Sequence, residues 1–251
     1  MNDSPWVLLR GLTREQRHWG TFPSELATAF PNAAVLTLDL PGNGALNQMR
    51  SPTRVEAMAA FCRDQLRSRG IAPPYRILAM SLGAMVATAW CSAHPQEVAG
   101  LVLINTSMRP FSAAHQRLKP RAALLRLLLG RPDPIGWERT VLALTSNAPR
   151  HDDSLVRQWA GYRHEHPVST GNALRQLWAA ARFVAPRTPP CPRVLLLTSA
   201  QDSLVDTRCS LALARAWQCH IASHPWAGHD LPLDDGAWVI DQVRRWSCLD
   251  E

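Results

Sequence analysis

Apolar positions in this chain follow two alternating patterns. Short, largely apolar runs have the length and bulk of buried strands: Trp6 to Leu9, Ala34 to Leu40, Tyr75 to Ala79, Leu101 to Asn105, Arg193 to Ser199 and Cys219 to Ala222. Between them lie longer stretches with apolar residues at helical spacing, about Arg14 to Phe30, Thr53 to Arg69, Leu82 to His94, Thr207 to Trp217 and Asp235 to Trp246. Gly11, the cluster Pro41-Gly42-Asn43-Gly44 and Gly70 mark ends and turns. Parallel strands need long right-handed crossovers, so alternation predicts an α/β fold, a doubly wound, mainly parallel sheet covered on both faces.

Met108 to Pro186 breaks the alternation, with no convincing strand and helical stretches at Ala122 to Leu129, Trp137 to Leu144, Ser154 to Tyr162 and Gly171 to Phe183. The expected organisation is a sheet domain over residues 1–107 and 187–251 with a helical cap, 108–186, inserted between two strands. Such an insertion leaves the ligand-binding end of an open α/β sheet, where it can cover a site and shape its specificity.

The 251 residues are 46% hydrophobic and 19% charged, which excludes a disordered chain. The longest nearly uncharged apolar stretch, Ile77 to Trp90, is shorter than the roughly 18–20 residues of a bilayer span. The start carries Asp3 and no basic-then-apolar export signal, so a cytoplasmic protein without a membrane span is expected. Six scattered cysteines lack C-x-x-C spacing and imply neither metal site nor disulfide framework. The net charge of +7 raises nucleic-acid binding, but the basic residues, all arginine except Lys119, are spread along the chain and point to no nucleic-acid partner. One concentration stands out: Arg109, Arg117, Lys119, Arg121, Arg126 and Arg131 occur with no acidic residue among them, interleaved with Leu124, Leu125, Leu127, Leu128 and Leu129.

The chemistry starts at Ala79-Met80-Ser81-Leu82-Gly83, where a serine stands between a strand and a helix with small residues two before and two after. So sharp a turn lifts the hydroxyl above the sheet, and its neighbours must be small to avoid collision. The pentapeptide alone also fits a helix-capping serine. Further places agree with the first reading: Arg10-Gly11-Leu12 after the first strand, Asp39-Leu40-Pro41-Gly42-Asn43-Gly44 after the second, Ser199 to Val205 around Asp202, and Ala227-Gly228-His229. Together they resemble the α/β-hydrolase superfamily along nearly the whole chain, in the order Ser, Asp, His that the family uses.

The resemblance implies a serine hydrolase that needs no cofactor. Ser81 would attack an ester or thioester carbonyl, His229 accept and return the proton, and Asp202 orient His229, with Asp206 and Asp230 as rival carboxylates. The backbone amides of Leu12 and Leu82 would stabilise the oxyanion. Arg10 stands where the family usually has histidine, and either braces loops or contacts an anionic substrate group. Ser81 argues against the dehalogenases and epoxide hydrolases of the family, whereas lyases, haloperoxidases and carbon–carbon hydrolases keep the same triad. Further readings stay open: an esterase acting on acyl chains tethered to an acidic acyl carrier protein, docked through the basic cap as in pimeloyl-carrier methyl ester esterases, a non-catalytic ligand-binding or scaffold member of the fold, and a carrier-protein or membrane-surface binder supported only by the basic cap.

Overall fold

The computed structural model describes residues 4–119, 133–148 and 153–248. Among the described residues six strands form one sheet: β1 (Trp6–Leu9), β2 (Val35–Leu38), β3 (Tyr75–Met80), β4 (Val98–Ile104), β5 (Val194–Ser199) and β6 (His220–His224). Their spatial order is β2-β1-β3-β4-β5-β6, and each neighbouring pair is parallel. The helices are α1 (Phe22–Ala29), α2 (Val55–Ser68), α3 (Leu82–Ala93), α4 (Ala114–Arg117), α5 (Pro134–Thr145), α6 (Asp153–Glu165), α7 (Thr170–Arg182), α8 (Thr207–Trp217) and α9 (Leu231–Ser247).

Successive strand residues point to opposite faces, and here both faces are dry. Val7, Leu9, Ile77, Leu101, Leu103 and Leu196 enter one core with residues of α2, α3 and α8. Trp6, Leu8, Leu78, Val102, Ile104 and Leu197 enter a second with residues of α1 and α9. This two-sided burial is why the strands read as unbroken apolar runs rather than alternating ones. Each buried aliphatic side chain contributes about 1.5–3 kcal/mol.

Several element ends differ from the periodicity by a few residues, as where β4 starts at Val98 rather than Leu101 and β6 runs from His220 to His224, and two differences are larger. The stretch from Arg14 to Phe30 is not one helix but a 3-10 turn, Gln16–Trp19, followed by α1. Gly20 at φ 57° ends the first piece, and Pro23, which offers no amide hydrogen, is accommodated in the first turn of the second. The last helix begins at Leu231, four residues before Asp235, with Pro232 in its first turn and non-helical angles at Asp235.

Between β4 and β5 the regular elements among the described residues are helices joined by loops, apart from an isolated bridge between Arg109 and Val184. The expected helix Ala122 to Leu129 lies outside the described residues. α5 and α6 pack through Leu142, Val156 and Trp159. Buried polar bonds join these helices to the loops that follow β1 and β2. Arg14 reaches Glu138 of α5 at 2.5 Å, and Gln176 of α7, fully buried, accepts from Thr13 N–H and donates to Asn43 Oδ1 and Ser51 Oγ. Among the described residues no helix is long and apolar enough to cross a membrane.

The chain winds outward from β1 to β2, then returns to lay β3 on the other side of β1. Strand order reverses there, and the crevice beyond the carboxyl ends of β1 and β3 is the usual ligand position in open α/β sheets.

Candidate active site

β3 ends at Met80 and α3 begins at Leu82, so Ser81 alone makes the turn between them. Its backbone stands at φ 54°, ψ −119°, a conformation that costs a non-glycine residue about 1–3 kcal/mol and persists only where the surroundings impose it. Ser81 N–H donates to the Ile104 carbonyl at 2.9 Å, and Thr106 Oγ1 donates to the Ser81 carbonyl at 3.2 Å. A Cβ on Gly83 would lie 2.5 Å from the Leu9 carbonyl oxygen, and one on Gly11 would lie 3.0 Å from Ser81 Cβ. The start of α3 therefore sits directly on the end of β1, and the Gly11-Leu12 turn abuts the serine. The Leu82 amide, first in its helix, has no intrahelical acceptor and lies at the positive end of the helix dipole.

Asp202 follows β5 and is buried. Its Oδ1 accepts from the amides of Leu204 and Val205 at 2.7 and 3.0 Å, and its Oδ2 lies 2.7 Å from His229 Nδ1. A carboxylate at Nδ1 favours the tautomer with its proton there, leaving Nε2 as the basic nitrogen. Lys119 steadies the same loop, its ammonium donating to the Asp202 carbonyl and its amide to the Leu204 carbonyl.

Three residues that support this arrangement were not singled out from the sequence as functional. Asn105, at φ 46° beyond β4, accepts from Ser199 N–H and donates through Nδ2 to Ser199 Oγ and to the carbonyls of Gly228 and His229, the last at 2.8 Å. It ties the histidine loop to the ends of β4 and β5. Asp234 accepts from Gly228 N–H, Asn147 N–H and Ser146 Oγ, while Asn147 Nδ2 donates to the Gln201 and Trp226 carbonyls. The chain after α5 is thus fastened to the loops of both Asp202 and His229. Asn105→Ala leaves the Gly228 and His229 carbonyls short of a buried donor; an expected loss of about 2 kcal/mol is measurable by urea denaturation.

The other candidates have separate partners. Arg10 donates to both oxygens of Asp230, at 3.0 and 2.5 Å, and stacks over Trp19. These bonds are the ones a loop brace would make, while Arg10 also lines the cavity that Ser81 lines, so both roles stay open for it. Asp206 caps α8 by accepting from Arg208 N–H, and the Arg208 guanidinium holds its carboxyl down at about 2. His18 is buried against Trp159 and Tyr162, and burial together with nearby Arg14 keeps its pKa well below the ordinary histidine value. His224 contacts Asp235 and accepts from Ala227 N–H.

Ser81, Leu82, Leu12 and His229 line one cavity of about 440 Å³. Its roof comes from the helical insertion through Trp137 and Val141 of α5 and Leu177 of α7, so its walls are mainly apolar. Such a space accepts a modest hydrocarbon group beside a reactive hydroxyl. Among the described residues no cluster of three or more His, Cys, Asp or Glu side chains is arranged to hold a metal ion.

With this geometry in hand, comparison with known proteins gives a consistent picture. A model of the alpha/beta hydrolase family matches residues 6–242. No curated protein matches the chain significantly in sequence. Among solved structures, an enol-lactonase from Burkholderia xenovorans LB400 aligns with a TM-score of 0.76 at 18% identity, over 98% of this chain and 92% of that one. A thermophilic esterase from Thermogutta terrifontis aligns with a TM-score of 0.75 at 21% identity, over 97% and 89%. The 2-hydroxy-6-oxo-6-phenylhexa-2,4-dienoate hydrolase of Rhodococcus sp. strain RHA1 aligns at 0.74 and 19%, over 97% and 90%. At these identities the likeness is one of fold.

Proposed function

Because the chain belongs to the alpha/beta hydrolase family, we propose that it is a serine hydrolase cleaving carboxylic esters or thioesters through an acyl-enzyme. The observation that carries this reading is the buried Asp202–His229 pair, 2.7 Å apart, on a cavity that Ser81 also lines. His229 Nε2 takes the Ser81 proton as Oγ attacks the carbonyl carbon, and the oxyanion that forms accepts from the Leu12 and Leu82 amides. His229 then protonates the leaving alcohol or thiol. Water attacks the acyl-enzyme with His229 as base, returning the serine and releasing the acid.

We take residues 1–107 and 187–251 as the catalytic core and 108–186 as its cap. The cysteines are free thiols, which supports a reducing, cytoplasmic setting. The carrier-protein reading has less behind it. Of the basic stretch, Arg117 donates to the Ala180 and Ala181 carbonyls and Lys119 to that of Asp202, so two of its cations turn inward. Arg121, Arg126 and Arg131 lie outside the described residues.

A fluorophosphonate probe followed by peptide mass spectrometry tests the proposal. The expected adduct sits on Ser81, with turnover across esters and thioesters of graded chain length. A folded protein that takes label elsewhere, or that takes none and turns over no ester, would return the chain to the ligand-binding or scaffold reading.

A further inference from the structure

The positive charge of this chain is not evenly shared. Residues 98–132 and 166–201 hold ten basic residues and none of the 20 acidic ones, so the remainder of the chain is net acidic. The described parts of these two stretches meet in the fold at Arg109 and Arg117. Arg109 bridges to Val184, Ala185 N–H donates to the Arg109 carbonyl, and Arg117 donates to the Ala180 and Ala181 carbonyls.

The place where they meet is also apolar. Leu174, Trp178 and Val184 are 51, 55 and 54% exposed, three of the six large hydrophobic side chains exposed among the described residues. Leu174 and Trp178 stand one turn apart on α7 and so share a face. Arg182 lies over the Trp178 ring at 5.5 Å, Arg109 bridges to Val184, Arg187 follows Val184 by three residues, and all three arginines are exposed. The opposite side of α7 lines the cavity through Ala173, Leu177 and Ala180. One helix therefore separates an exposed basic, tryptophan-bearing patch from the apolar site.

We propose that this patch docks the protein on an anionic lipid surface, with Leu174, Trp178 and Val184 entering the headgroup region and Arg109, Arg182 and Arg187 pairing with lipid phosphates. Tryptophan is at home at the level of the headgroups, where one edge of the ring is dry and the other wet. Arginine matches phosphate with two parallel hydrogen bonds. Half-exposed apolar side chains with cations beside them are the features of interfacial binding, and each cation near an anionic leaflet adds to the attraction. Docking there sets α7, and the cavity behind it, against a phase rich in acyl chains. The inference adds a surface to the proposed hydrolase but stands apart from its chemistry, because binding is read without turnover.

Sedimentation with vesicles tests it, using phosphatidylcholine alone and phosphatidylcholine containing about one third phosphatidylglycerol. The intact chain is expected to sediment with the anionic vesicles and not the neutral ones, and to be released as salt rises toward about 0.5 M. Leu174→Ser/Trp178→Ser is expected to weaken binding about tenfold or more, and Arg182→Glu, a single change at an exposed site, to weaken it as well. Neither variant touches the cavity, so turnover of a water-soluble ester should be unchanged, which also certifies folding. Failure to sediment with either vesicle would overturn the proposal. So would undiminished binding by both variants, or a dimer that Trp178→Ser dissociates, which would assign the patch to a second copy of the chain.

Discussion

Ser81→Ala is expected to lower kcat/KM for ester substrates by about 10⁶-fold, and Asp202→Asn by about 10⁴-fold, with little change in melting temperature for the second. Removing the hydroxyl leaves the cavity and the two candidate oxyanion amides in place but nothing to form the proposed acyl-enzyme. The asparagine works differently. Its Oδ1 still accepts from the Leu204 and Val205 amides, so the loop keeps its shape. Its amide group then faces His229 Nδ1 as a donor and drives the imidazole proton onto Nε2, the nitrogen that must be free to take a proton from Ser81. Steady-state kinetics beside urea denaturation separates the two cases. An Asp202→Asn protein that stays folded and keeps its full rate would remove Asp202 from the mechanism and reopen the choice of carboxylate.

Arg10→Met carries the largest expected loss of stability, about 3–5 kcal/mol. The Arg10 and Asp230 side chains are only 3 and 4% exposed, and Asp230 would be left as a buried carboxylate without its counter-ion. Removing both partners should cost much less, because Arg10→Met/Asp230→Leu leaves no unpaired charge. A double-mutant cycle by chemical denaturation measures the difference, and additive losses would show that the pair does not act as a unit. The same cycle read in kinetics addresses the role of Arg10. A brace predicts that neutral and anionic esters slow alike when it is cut, because the damage passes through the Asp230 loop next to His229. A selective loss for anionic esters would instead make Arg10 a substrate contact.

The sheet could be read from the chain because burial on both faces makes its strands continuous apolar runs, as at Leu101 to Ile104. Ser81 could be read because the crowding that forces glycine at position 83 leaves a spacing visible in one dimension. Helix ends were harder: the periodicity passes through Gly20 without a break, although the backbone does not. The residues that hold the site together were hidden for a different reason. Asn105 is defined by bonds to residues 94 to 124 positions away, and Gln176 by bonds across 125 to 163. A buried amide at either position has no local signature; only the pairing of distant loops gives it work. Asp234 reads as one more acid near the start of a helix until the chain after α5 is brought against it.

The strand order also governs when the machinery comes into being during synthesis. The first 105 residues contain Ser81, its strained turn and both candidate oxyanion amides, on four strands that are neighbours in the sheet. The proposed acid and base, Asp202 and His229, wait for β5 and β6, which extend the far edge and follow the helical insertion. On the proposed triad, a growing chain carries the candidate nucleophile before its candidate base, and a protein stalled on the ribosome before residue 202 is expected to show no ester turnover. On that reading activity waits for residues 202 to 229, which follow the segments that roof the cavity.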